Sequence, residues 1–194
     1  MSDEKPLPIE FDELLAAEFD YIAQTAIQAN EDRARVSSFY LIAVGSLLAA
    51  LFGTQFFDPS SPSQTVNLMF SGLFALLMLL GTSTVMQLAR LRAAWHESAL
   101  AMNQLKDYMM NVNQSLTKAF RWKTNTLPSK YKKDSVSYYQ ALEVALISGL
   151  MFGAAIFFLQ RAFFQIGLLH WIISALSGLL TLYLQLSLYQ RALK

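Results

Sequence analysis

The chain has 194 residues, 54% of them hydrophobic and 15% charged, whereas soluble domains carry about 25% charged residues. With a positive mean hydropathy, this composition points to a membrane protein rather than a soluble or disordered chain. The absence of cysteine excludes disulfides, cysteine-ligated metal clusters and a cysteine nucleophile; the net charge of +1 excludes nothing, and only its distribution along the chain is informative.

Residues 1–36 form the first unit, an acidic segment with nine acidic and three basic residues before position 36. From residue 10 it reads "EFDELLAAEFDYIAQTAIQANEDRARV", free of glycine and proline. Leu15, Phe19, Ile22, Ala26 and Ala29 recur in steps of three and four, the spacing of one helix face. The first apolar window follows at Ser37–Phe57, behind this charged segment, so no signal-like opening is expected. Within it Gly45, Ala49 and Gly53 repeat every fourth residue, a spacing that lets helices approach closely in lipid. A turn, "DPSSPSQT", leads to the second window, Val66–Leu88, which closes the first transmembrane hairpin at 37–88.

No glycine or proline lies between Gly81 and Pro128, so the second helix is expected to continue past the membrane. Leu91, Trp95, Met102, Leu105, Met109, Val112 and Leu116 belong to one apolar seam with helical steps. Such a seam argues for helix-on-helix packing, in the manner of a coiled coil. Residues 89–137 carry nine basic and three acidic residues, opposite in sign to residues 1–35. The expectation is a hairpin whose two arms pack together, with the charges setting register and partner choice more than stability. "RWKTNTLPSKYKKD" should end the helix, with Pro128 as breaker. Its "KYKKD" run is expected to meet anionic lipid headgroups.

The second hairpin, 138–188, combines windows at Tyr139–Leu159 and Gly167–Leu188, before a tail at 189–194. Each of the four windows matches a ~30 Å hydrocarbon core. Gly149 and Gly153 supply a second small-residue stripe. Ser174, Ser177, Thr181 and Gln185 share one face of the fourth window, as an interhelix polar stripe or as the lining of a water path. Glu143 is the one acidic group inside a window. It is expected to pair with Arg90, Arg92 or a lysine of "KYKKD", or else to serve as a proton or cation site. All basic residues except Arg161 fall on one side of the four windows, which predicts cytoplasmic termini and a cytoplasmic central segment.

No HExxH, GxSxG or glycine-rich phosphate loop occurs, and no pair of carboxylates falls within the windows. The chain is therefore expected not to be an enzyme, to need no cofactor or metal, and to bind no nucleic acid. In layout, "QANEDRARVSSFYLIAVGSLLAALFG" and "LMLLGTSTVMQLARLRAAWHESALAMNQL" resemble the SLATT-type small prokaryotic membrane proteins over residues 10–120. That resemblance implies an oligomeric, pore-forming effector. This chain adds two further spans and has no recognisable sensor domain. The expectation is an all-α, four-span protein of the bacterial plasma membrane, with both termini inside and a homo-oligomeric assembly. It would act as a channel or pore-forming effector, or alternatively as a scaffold or accessory subunit that holds a protein partner on its cytoplasmic arm.

Overall fold

The structure, a computed structural model, describes residues 11–53 and 64–194. Four long helices dominate it: α1 (Phe11–Gly53), α2 (Gln64–Val112), α3 (Val136–Phe163) and α4 (Leu168–Ala192). No strand occurs among the described residues. All four helices are long and apolar enough to cross a membrane. The expected turn between the first two windows, the acidic residues before position 11 and Phe57 lie outside the described residues.

The helices run up and down. Tyr40 of α1 meets Gly81 of α2; Phe70 and Phe74 of α2 meet Phe158 of α3 at 5.1 and 5.6 Å between ring centres. Gly149 and Gly153 of α3 meet Gly178 and Ser174 of α4. The numbering rises on one helix as it falls on its neighbour at each of these contacts. α2 is the hub, touching the other three.

The bundle has an apolar core that also encloses polar residues, and large apolar residues cover its outside. Ser71, Thr84, Ser148, Ser174, Thr181 and Gln185 are buried, whereas Leu76, Leu79, Leu150, Leu176, Leu180 and Leu184 are exposed. In hydrocarbon the outward face gains nothing by being polar, while inward polar groups find partners on neighbouring helices. The arrangement suits a lipid solvent.

α1 has 43 residues and α2 has 49, roughly twice the ~20 that a span requires. Their surplus lies at the same end and packs together. Thr25 Oγ1 and Ser98 Oγ share a hydrogen bond of 3.2 Å, and the Lys106 ammonium sits 5.5 Å from the Phe19 ring centre. The buried contacts of this arm are small: Ala26, Ala29 and Ala99. Among the described residues the ion pairs are Arg35–Asp32, within α1, and Lys130–Glu97, between loop and α2. The opposite charges of the two arms thus form no direct pair with each other there. Exposed ion pairs contribute little, and the apolar contacts suffice to fix the register.

α2 stops at Val112, well short of Pro128. Asn113 takes an extended backbone, φ −133° and ψ 101°, and its side chain accepts from Ser115 N and Ser115 Oγ. An asparagine that bonds its own following turn competes with helix continuation, so the helix ends at this local signal and not at the proline. Leu116 consequently lies in a 3₁₀ turn, Gln114–Lys118, off the seam. Val112 is exposed. Leu91, Trp95, Met102, Leu105 and Met109 remain on α2, each half-buried.

Candidate functional site

Residues 113–135 fold back along α2 as a strap. Asn103 Nδ2 donates to the Lys123 carbonyl at 3.1 Å, and Thr124 N donates to Asp107 Oδ2 at 3.2 Å. His96 Nε2 meets the Pro128 carbonyl at 3.0 Å, and Arg92 Nε donates to the Lys130 carbonyl at 3.1 Å. Arg92, His96, Asn103 and Asp107 share one helix face, spaced by four, seven and four, beside the apolar seam. The periodicity of this polar stripe was present in the sequence, but nothing marked it as the dock of a loop. Burial holds the His96 imidazole below the usual histidine range, with Lys130 and Arg92 acting in the same direction and Pro128 and Glu97 opposing. Asn103→Ala is expected to cost about 1–2 kcal/mol and to speed tryptic cleavage after Lys123; cleavage at the wild-type rate would mean the strap is held elsewhere.

Where the strap reaches the apolar windows, all four helices contribute a polar side chain. Arg33 comes from α1, Arg92 from α2, Ser137 from α3 and Tyr189 from α4; all are buried. Arg33 donates from Nη1 to Ser137 Oγ, and from Nη2 to Asn30 Oδ1 at 2.7 Å. Its Nε is buried without a partner. The Arg92 guanidinium lies over the Trp95 ring, 4.4 Å from the centre. Burial first, and then the charge of Arg92, hold the Arg33 guanidinium below its ordinary value. Burial does the same to Arg92. Tyr131, Tyr138 and Tyr189 form an edge-to-face cluster beside them, with ring centres 6.2 and 6.4 Å apart. Tyrosines of this kind concentrate at the membrane–water boundary.

Deeper in the bundle lies a second polar group, in which Gln185 Oε1 is buried without a partner. Gln185 Nε2 donates to Thr82 Oγ1 and to Ser148 Oγ, each at 2.7 Å. Ser148 Oγ and Thr82 Oγ1 both donate to the Met78 carbonyl, at 3.1 and 3.0 Å. Thr181 bonds the Ser177 carbonyl, Ser177 the Ile173 carbonyl, and Ser174 accepts from Gln160 at 3.1 Å. Of the fourth-window stripe, Ser174, Thr181 and Gln185 are therefore turned inward and used between or within helices; Ser177 is half-buried.

The small residues divide. A Cβ added at Gly149 would lie 2.7 Å from the Gly178 carbonyl oxygen, and one at Gly153 3.0 Å from that of Ser174. Nothing lies within 4 Å of a Cβ at Gly45, and Ala49 is exposed. Gly53 ends α1, and its surroundings lie outside the described residues. The first stripe therefore faces away from the protomer. Glu143 is exposed and has no ion-pair partner among the described residues. At 100° per residue it lies opposite the buried face formed by Ala141, Val144, Ala145 and Ser148, so the expected pairing with Arg92 does not form.

Among the described residues no group of three or more His, Asp or Glu side chains is placed to hold a metal ion. No family model matches the chain, and neither a curated protein nor a solved structure matches it.

Proposed function

We propose that this chain is a non-catalytic, multi-pass protein of a bacterial plasma membrane that presents a paired helical arm to a protein partner in the cytoplasm. The observation that carries this reading is the division of labour along α2. Its apolar part sits in a bundle where Gln185, Thr82, Ser148 and Met78 bond one another, and its extension leaves the bundle packed on α1 and strapped by residues 113–135. A rigid arm with a built-in strap is suited to holding something. The placement of almost all basic residues at the arm's end of the helices supports cytoplasmic termini.

A second reading, an oligomeric channel or pore-forming effector as the SLATT resemblance implies, is favoured by one observation. Gly45 and Ala49 present a small-residue face outside the protomer, of the kind through which identical helices pack. Native mass spectrometry of the particle extracted in nanodiscs separates the two. The scaffold reading expects other chains to travel with the protein, or a monomer whose arm is free. A closed ring of four or more identical copies that conducts ions overturns it in favour of the channel.

A further inference from the structure

We propose that Arg33 and Arg92, with Ser137 and Tyr189, hold a phosphate group at the membrane face where the four helices meet. Three observations carry this inference. The first is charge without compensation. Both arginine residues are more than nine-tenths buried, and their guanidinium groups are close enough for the charge of one to act on the other. The carboxylates that form ion pairs among the described residues are Asp32 and Glu97, and they pair with Arg35 and Lys130 instead. Asn30, Ser137 and the Lys130 carbonyl offer these arginines neutral acceptors only. Buried like charges lose hydration and repel, and an anion between them offsets both losses.

The second observation is donor geometry. Arg33 Nε is buried and unpartnered. Guanidinium groups carry their N–H donors in a planar fork that matches the oxygens of a phosphate. The third is depth. Arg33 stands four residues before the first apolar window and Arg92 four residues after the second; Ser137 and Tyr189 stand just outside the third and fourth. At helical rise that is about 6 Å or less beyond the hydrocarbon, the level of lipid phosphates, and the tyrosine cluster lies at the same level. The depth argument rests on the membrane placement of the helices and holds whatever partner the arm has.

The test uses the full chain in a neutral, phosphate-free detergent, with unfolding followed by tryptophan fluorescence. Phosphatidylglycerol, diacylglycerol (which lacks the phosphate) and inorganic phosphate are titrated separately at matched ionic strength. Phosphatidylglycerol at about a hundredfold its Kd is expected to raise Tm by roughly 5–10 °C. A response to phosphatidylglycerol alone assigns a lipid headgroup. A response to inorganic phosphate as well assigns any accessible phosphate, and either result supports the site. The double variant Arg33→Gln, Arg92→Gln is expected to lose the response, measured against its own unliganded Tm because it also loses the contacts of the two arginines with Ser137, Asn30 and the Lys130 carbonyl. Arg33→Lys with Arg92→Lys keeps both charges but not the forks, and its half-saturating concentration is expected to rise about tenfold. Arg35→Gln, an exposed cation nearby, should respond as wild type does. No response in the wild type, an equal response to diacylglycerol, an undiminished response in both double variants, or a loss in Arg35→Gln as large as in the Gln pair overturns the proposal.

Discussion

Gly149→Leu is expected to destabilise the bundle by about 3 kcal/mol or more, the upper end for overpacking a tight contact. The Cβ alone would fall 2.7 Å from the Gly178 carbonyl oxygen and 3.4 Å from Leu182 Cβ. Backbone cannot rotate away as a side chain can, so α3 and α4 must separate. Separation would also weaken the contact of Phe157 with Trp171, whose rings are 4.4 Å apart. Gly45→Leu is the matched control. With nothing within 4 Å, it is expected to change protomer stability by no more than about 0.5 kcal/mol. Reversible unfolding in mixed micelles measures both. If the two substitutions cost the same, the α3–α4 crossing is not the close contact described. If Gly45→Leu leaves the protomer intact but lowers the particle mass, the outer face of α1 joins copies of the chain, and the channel reading gains its interface.

Gln185→Glu is the second large effect. Gln185 is 2% exposed and donates to both Thr82 and Ser148. A carboxylate there has lost the amide donor and has no cation at hand. An acidic residue costs about 3 kcal/mol at the centre of a span; Gln185 lies three residues inside the end of the fourth window, so the expected cost is lower, about 2 kcal/mol. Gln185→Met, of similar shape, is expected to cost under about 1.5 kcal/mol, because interhelical hydrogen bonds in membranes are individually weak and Thr82 and Ser148 keep the Met78 carbonyl. The pair of variants also distinguishes the functional readings. Lining an aqueous path, the glutamate would be tolerated and would alter conductance. In a dry bundle it destabilises while methionine does not.

Much of the architecture was readable locally. Over the described residues the four apolar windows fall within the four long helices, apart from Gly167, which caps α4, and the glycine- and proline-free runs continue into long extensions, because helix formation and span length depend on near neighbours. Two local readings failed for physical reasons of their own. Pro128 was the stronger breaker in composition, yet Asn113 acted first, since an asparagine can satisfy its own turn without waiting for the chain to reach a proline. Glu143 was expected to pair with Arg90, Arg92 or a lysine of the "KYKKD" run, but helical rotation turns it outward and it forms no ion pair among the described residues.

The candidate site was legible only in fragments. Arg33 and Arg92 counted as ordinary positive-inside residues, and Ser137 and Tyr189 carried no signal at all. They meet because α1 and α2 pack antiparallel with one register, while α3 and α4 place a serine and a tyrosine at that same level. The same holds for Gly149 and Gly153 against Gly45 and Ala49. Both stripes have the same spacing, and the spacing cannot say which of them a neighbouring helix will cover. The sequence by itself determined the four long helices and their preference for a lipid solvent, because these are sums over residues close in the chain. Which polar groups satisfy one another, and which arginines are left buried without an anion, only the tertiary structure decided, because register between helices up to about a hundred residues apart is set by packing all four at once.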